Sequence, residues 1–246
     1  MVNVLWTGGW DSTFRVAHLV LHYQAEVQPY YIIDPRRRSY PQELETISKI
    51  ASVLNERAHG EAFVREPEIF NMTDIHVVTS ERDSYLKLRQ LGPLGEQYVW
   101  LRAFQRIYRV RGLELSIHKD DRATMFIAGS VKYVDDPYGG YFELDEEKAN
   151  PALELFRGMR FPLLRLSKVE MLEISEQLGF RDIMEQTWFC HDPLPGGAPC
   201  GGCNPCRDAV REGMAWRLDR SRRVAIARNI RRLQRLLGQA FSWDEQ

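Results

Sequence analysis

Short apolar segments alternate with longer amphipathic ones along most of this chain. Mostly apolar runs occupy residues 2–6 and Glu26–Ile33, and turn residues follow each of them. Short apolar runs that end in Gly or Pro are typical of strands buried inside a parallel sheet, so both runs predict strands. The same pattern predicts further strands at 75–79 and 124–128.

The segments between these runs have the period of helices that bury one face. Such helices are predicted at 12–22, 41–57, 98–110 and 168–178, with Pro41 in the first turn of the second and Gly179 just after the last. Alternating strands and helices predict an α/β fold, in which helices cover both faces of a doubly wound, mostly parallel sheet. Ligands bind at the carboxyl ends of such strands, so we expect 6–13, 34–40 and 129–140 to share one edge.

Composition and charge limit the broad class of the protein. Hydrophobic residues are 44% and charged residues 27% of the 246 residues, which are ordinary values for a folded domain and exclude global disorder. The net charge of -1 gives no overall attraction to nucleic acid or to a membrane. The sequence contains neither a long apolar run nor a signal-peptide pattern, so we expect a cytoplasmic protein that does not bind membranes.

The turn after the first predicted strand is the first candidate binding site. It reads Thr7-Gly8-Gly9-Trp10-Asp11-Ser12-Thr13 and leads directly into a helix. Glycines let the backbone approach an anion, and the N–H groups at a helix start attract one, so the turn predicts a phosphate site. Its spacing matches neither the Walker A loop nor the dinucleotide fingerprint. The simpler alternative is that these residues only turn the chain and cap the helix.

This turn resembles the SGGxDS loop of the PP-loop, or N-type, ATP pyrophosphatases, with Thr7 in place of the leading Ser. The resemblance implies that the loop holds pyrophosphate while ATP adenylates a carboxylate or carbonyl oxygen. It also implies that Asp11 helps to hold Mg²⁺. The residues expected to bind ATP are Trp6, Thr7, Gly8, Gly9, Trp10, Asp11, Ser12 and Thr13.

All four cysteines lie close together near the end of the chain. They are Cys190, Cys200, Cys203 and Cys206, in a stretch rich in Gly and Pro. Four thiolates suit a closed tetrahedral Zn²⁺ site, which leaves no open position for catalysis and is therefore structural. Two alternatives stay open at this point. The Cys-x2-Cys-x2-Cys spacing also occurs around iron–sulfur clusters, and His191 could replace one cysteine.

The cysteine segment, Trp188-Phe189-Cys190 followed by 200–207, resembles the zinc segment of 7-cyano-7-deazaguanine synthases. Residues 161–170 and the stretch after the second strand, 34–38, are also similar to that family. Two segments depart from it. Residues 91–97 lack the Arg and Asn of the family's V-P-x-R-N, and 129–140 lack its Cys and Arg.

The resemblance implies an ATP-dependent ligase of queuosine biosynthesis. It would convert 7-carboxy-7-deazaguanine and ammonia into the amide or into 7-cyano-7-deazaguanine, with ATP and Mg²⁺ at the loop and Zn²⁺ at the cysteines. Two basic residues near the predicted edge, Lys168 and more weakly Lys132, are the candidates for stabilising the reacting phosphates. The family also implies a homodimer.

The chain is predicted to have two parts. Residues 1–180 would form the ATP pyrophosphatase domain, and 181–246 the zinc loop followed by an Arg-rich helix at 222–237. That helix could dock on its own domain, form the dimer contact or contact RNA.

Three kinds of function remain open from the sequence. One is the small-molecule ligase. Another is a PP-loop enzyme that modifies a protein amine or a nucleic-acid base, including tRNA thiolation through an iron–sulfur cluster. The last is a nucleotide-binding protein without catalysis.

Overall fold

A computed structural model describes residues 1–148 and 150–218. Its strands are β1 (Val2–Leu5), β2 (Glu26–Ile33), β3 (Phe63–Val64), β4 (Glu68–Asn71), β5 (Leu113–Glu114), β6 (Val131–Val134), β7 (Tyr141–Leu144) and β8 (Met159–Arg160). Six of them form one sheet in the order β3-β2-β1-β5-β8, with β4 also paired to β2. Every pair in this sheet is parallel, which confirms the predicted α/β class.

The helices form two apolar cores, one on each face of the sheet. They are α1 (Trp10–Ala17), α2 (Tyr40–Arg57), α3 (Thr79–Leu91), α4 (Gln97–Tyr108), α5 (Thr124–Ile127), α6 (Lys168–Gln177), α7 (Arg181–Glu185) and α8 (Asn204–Arg211). Buried residues of α1, α2, α6 and α7 share one core. Those of α3, α4 and the 3₁₀ segment Pro151–Phe156 share the other. Successive β2 residues alternate between these cores, as Tyr31 and Ile32 do, because successive strand side chains point to opposite faces.

Two predicted strands are wrong. Residues 75–78 are irregular, and the strands that follow α2 are instead β3 and β4, which lie on the exposed edge of the sheet. Residues 124–128 form α5 and the start of a 3₁₀ turn rather than a strand. A five-residue apolar run fits a buried helical turn as well as a strand, so its pattern could not separate the two.

The segment 129–140 therefore does not follow a strand of the main sheet. It leads into β6, which pairs with β7 in a separate antiparallel hairpin. The residues that follow the central strand β5 are 115–121, and these are the ones that join the 6–13 turn at the edge of the sheet.

A buried ion pair ties the hairpin to the sheet. Arg15 of α1 and Glu114 of β5 are almost fully buried, and the guanidinium donates two hydrogen bonds to the carboxylate, at 2.7 and 2.8 Å. Arg15 also donates to the carbonyl oxygen of Tyr138, at 2.9 Å. Each charge is thus paired, as burial requires.

The strand order places a crevice beside β1. The chain moves outward from β1 through β2 to β3 and then returns to the other side of β1 as β5. The carboxyl ends of β1 and β5 therefore face a topological switch point, which is where ligands bind in open α/β sheets.

No helix in residues 1–148 and 150–218 is long and apolar enough to span a bilayer. The Arg-rich helix predicted at 222–237 lies outside the described residues.

Candidate active site and metal centre

The glycine turn folds back on the first turn of α1. Gly9 is the residue before the helix, and Thr13 N donates to Gly9 O at 3.0 Å. Trp6 is fully buried and its Nε1 donates to Thr13 Oγ1 at 2.9 Å. Thr7 N donates to Ser12 Oγ at 3.3 Å. The predicted phosphate loop is therefore a compact turn at the carboxyl end of β1, with the start of α1 behind it.

Gly8 is required for this turn. Its φ is +67°, in the left-handed region, and a Cβ there would lie 3.0 Å from the carbonyl oxygen of Glu43 in α2. The Gly8 carbonyl accepts a hydrogen bond from Trp188 N at 2.9 Å. The nearest of the atoms that a Cβ would meet is a backbone atom of α2, so a side chain at this position requires a small shift of the turn or of α2.

We expect Gly8→Ala to destabilise the protein and to weaken phosphate binding. The left-handed conformation costs a non-Gly residue about 1–2 kcal/mol, and the contact with Glu43 adds to that cost. Gly60→Ala is the matched control, because Gly60 has φ +65° but a Cβ added there would meet no atom within 4 Å. Urea unfolding should show a larger loss of unfolding free energy for Gly8→Ala than for Gly60→Ala; equal losses would contradict the packing argument.

A cavity of about 140 Å³ opens beside the turn, at the switch point of the sheet. Its walls include Thr7, Asp11 and Ser12 from the first turn, Tyr98 from α4, and Ser116 and Asp121 from the segment after β5. Asp11 Oδ1 and Ser116 Oγ are buried without a hydrogen-bond partner among the described residues. Buried polar atoms are normally satisfied, so these oxygens are available to a ligand or to water in the cavity.

Lys168 extends into this region from the start of α6. Its Nζ lies 3.6 Å from Asp11 Oδ2 and 2.7 Å from Glu212 Oε2, and its side chain is only 17% exposed. Burial alone lowers the pKa of Lys168, but Asp11 and Glu212 outweigh burial and raise the pKa above its usual value. Lys168 is therefore a fixed cation beside the glycine turn, while its role toward phosphates stays a prediction.

Asp121 and His118 were not singled out from the sequence. Both are in the segment after β5, and the His118 ring lies 4.0 Å from Glu212. Burial raises the pKa of Asp121, and the nearby Asp11 acts in the same direction. Their position after β5 would have identified them, but β5 is too short to be recognised by its apolar pattern.

Arg217 is a second cation close to the turn. Its guanidinium lies 5.0 Å from the centre of the Trp10 ring and 4.7 Å from that of Phe189, and it donates to Thr187 Oγ1 at 2.7 Å. Burial lowers the pKa of Arg217 to about 10, while Asp11 opposes this shift. Arg217 therefore joins the chain beyond the cysteines to the first turn of α1.

Lys132 has a different environment from Lys168. It is half exposed on β6, and its Nζ lies 3.5 Å from Glu143 of β7. The structure thus brings Lys168, and not Lys132, into an ion pair with the glycine turn among the described residues.

The segment after β2 is organised around Asp34. This carboxylate accepts hydrogen bonds from the backbone and side chain of Arg36, at 3.0 and 2.9 Å. Arg38 lies 3.5 Å from Asp192, beside the cysteine segment. The 34–38 stretch therefore connects the edge of the sheet to the cysteines.

The four cysteines form one buried cluster. Their Sγ atoms all lie within 4.8 Å of one another, and those of Cys190 and Cys203 are 3.9 Å apart. Four sulfurs at about 2.3 Å from one tetrahedral ion would be roughly 3.8 Å apart, so the cluster could hold a metal such as zinc. Trp188, Phe189 and Leu194 pack against it.

Backbone N–H groups point at the sulfurs. Cys200 N donates to Cys190 Sγ at 3.1 Å, and Gly202 N and Cys203 N both donate to Cys200 Sγ at 3.3 Å. Such bonds stabilise thiolates, the form that binds metal. His191 is not part of the cluster in the described residues. Burial, followed by nearby Arg37, lowers the pKa of His191 to about 4.

Comparison with known proteins finds two curated relatives. The chain is 39% identical over 54 residues to a 7-cyano-7-deazaguanine synthase of Erythrobacter litoralis, covering 22% of this chain and 21% of that protein. It is 36% identical over 63 residues to 7-cyano-7-deazaguanine synthase 1 of Sphingopyxis alaskensis, covering 24% of this chain and 27% of that protein. No protein-family model matches the chain. The similarity supports the predicted resemblance, over about a quarter of each relative's length.

Proposed function

We propose that this protein is an ATP-dependent ligase that adenylates the carboxylate of 7-carboxy-7-deazaguanine for attack by ammonia. The observation that carries the proposal is the glycine turn at the switch point, with the buried Lys168 ammonium 3.6 Å from Asp11. The turn supplies N–H donors at one wall of the cavity, and Lys168 supplies positive charge behind Asp11, as a polyphosphate requires. The names of the two relatives support the choice of acid.

In the proposed reaction, a carboxylate oxygen attacks the α-phosphorus of ATP and pyrophosphate leaves. Ammonia then adds to the carbonyl carbon of the acyl adenylate, AMP leaves with the carboxylate oxygen, and the nitrogen loses a proton to give the amide. Formation of the nitrile needs a further ATP. The amide oxygen attacks its α-phosphorus and pyrophosphate leaves. Loss of AMP, which takes the oxygen with it, and of both amide protons then leaves the C≡N bond.

The chain's own groups have separate roles in this scheme. Thr7, Ser12 and the start of α1 hold the pyrophosphate, and Lys168 balances the charge that develops on it. Asp11 has one oxygen free of hydrogen bonds within the described chain, which fits a Mg²⁺ ligand. When bound, Mg²⁺ supplies positive charge to the phosphates.

The cysteines are proposed to hold Zn²⁺ in a structural site. The alternative iron–sulfur cluster would absorb visible light, whereas a zinc protein is colourless. The absorption spectrum of the purified protein therefore tests this choice directly.

We expect the protein, given ATP, Mg²⁺, ammonium and 7-carboxy-7-deazaguanine, to release AMP and pyrophosphate and to form a product of changed mass. Conversion of the carboxylate to the amide lowers the mass by about 1 Da and conversion to the nitrile by about 19 Da, so mass spectrometry separates the two products. The control omits the acid. No AMP with the acid present would contradict the proposed function.

A macromolecular acceptor is the second candidate. It is favoured by residues 91–97 and 129–140, which lack the residues that the family has there. AMP release with RNA or protein, and not with the deazapurine acid, would select this candidate.

A further inference from the structure

The short chain segment beyond the cysteines contributes a carboxylate to the candidate nucleotide site. Glu212 directly follows α8 and is 17% exposed, and its Oε2 is 2.7 Å from Lys168 Nζ. This is a close ion pair, almost 1 Å shorter than the 3.6 Å between Lys168 Nζ and Asp11 Oδ2. Glu212 is therefore the closer of the two partners of Lys168.

A lysine ammonium needs such a partner in order to stay at one place. Its side chain has four rotatable bonds, and fixing them costs conformational entropy. The Glu212 carboxylate offsets that cost by attracting the ammonium. The Asp11 carboxylate, at the start of α1, is the next closest negative charge.

The position of Glu212 is itself fixed by the cysteine segment. The α8 helix starts just after Cys203 and includes Cys206, and Glu212 N donates to Asp208 O at 2.9 Å at its end. Two residues after Glu212, Met214 N donates to Ala209 O at 2.7 Å. Met214 and Ala209 are both buried in the core to which α1 also contributes.

We infer that Glu212 is a positioning residue, which holds Lys168 beside the glycine turn and makes that position depend on the cysteine segment. The inference rests on the proposed function for the reaction that it serves. The contact between Glu212 and Lys168 stands independently of that reaction.

Four titratable groups surround the ammonium. Asp11 acts on it from α1, Asp121 from the segment after β5 and Glu212 from the end of α8, while His118, 4.0 Å from Glu212, is the fourth group of this cluster. Glu212→Gln keeps the size of the side chain and removes one negative charge. Lys168 Nζ then loses its closest charged partner, so its side chain should leave the glycine turn more often and become more accessible to reagents in solution.

The first test is the acetylation of Lys168 by an amine-reactive ester at pH 8, quantified on peptides by mass spectrometry. Lys148, which is 68% exposed, is the internal reference. Glu212→Gln should raise the ratio of Lys168 to Lys148 labelling several-fold. Asp208→Asn is the matched control, because Asp208 lies on the same helix but pairs with Arg211. An unchanged ratio in Glu212→Gln would overturn the inference.

The second test is pyrophosphate release. We expect Glu212→Gln to lower kcat on the order of 10- to 100-fold with little change in the KM for ATP. A displaced Lys168 would stabilise the transition state less but would affect the binding of ATP little. Glu212→Asp should restore part of the loss. A wild-type kcat in Glu212→Gln would overturn the positioning role. If the wild type releases no pyrophosphate, the proposed function fails, while the labelling ratio still decides whether Glu212 holds Lys168.

Discussion

Asp11→Ala is expected to abolish AMP formation while the protein stays folded. Asp11 lies in the first turn of α1, lines the cavity and has one oxygen without a partner among the described residues. Its removal takes away the proposed Mg²⁺ ligand and one of the two carboxylates next to Lys168. Loss of a preorganised electrostatic group costs about 100- to 1,000-fold in kcat, which would bring AMP release close to background.

The fold should tolerate this change, because Lys168 keeps its pair with Glu212 and the Asp11 side chain is 25% exposed. Ser12→Ala should also lose activity, since Ser12 Oγ accepts the hydrogen bond from Thr7 N that shapes the turn. Asp120→Ala, at an exposed neighbour of Asp121, is the control and should retain full activity. Wild-type AMP formation by folded Asp11→Ala or Ser12→Ala would remove that side chain from the mechanism.

Cys190→Ser is expected to release the metal and to unfold the segment around it. All four cysteines are buried, and few other apolar residues pack against them. A structural zinc site contributes on the order of 10 kcal/mol to the folding of the peptide that forms it. The two large cores lie elsewhere, so local unfolding and poor solubility are expected rather than global collapse.

Metal analysis should return one zinc per chain for the parent and clearly less for Cys190→Ser. His191→Ala is the matched control, because His191 is next to the cluster but outside it, and this variant should keep its zinc. Equal zinc in Cys190→Ser and the parent would show that another ligand completes the site. Limited proteolysis should cut the cysteine variant, and not the control, within 187–217.

The sequence predicted those elements whose apolar residues are buried in a regular pattern. Glu26–Ile33 is a strand with the predicted bounds, because it lies inside the sheet, and α2 starts one residue before the predicted position, with Pro41 in its first turn. The edge strand β4 was missed because most of its side chains are exposed and its composition is therefore ordinary for a loop. The central strand β5 was missed because it has only two residues and one of them, Glu114, is charged although it is buried.

The residues of the candidate site also differ in how clearly the sequence indicates them. The glycine turn and the cysteines were singled out because their residue types and spacings are unusual, and Lys168 because it is near the predicted edge in a chain with only six lysines. Asp121, Glu212 and Arg217 were not, because charged residues in loops are common and only the packed structure shows which of them are buried together. Glu212 would have required knowledge that the end of α8 meets the start of α6.

The bond from Trp188 N to Gly8 O has a consequence for protein synthesis. The glycine turn is translated before the rest of the sheet, whereas Trp188, Glu212 and Arg217 are made only after the whole sheet. A ribosome-bound chain can therefore form the sheet while the groups that contact the glycine turn and Lys168 from the cysteine side are still missing. The order of translation thus delays the proposed ATP consumption until these residues have been made.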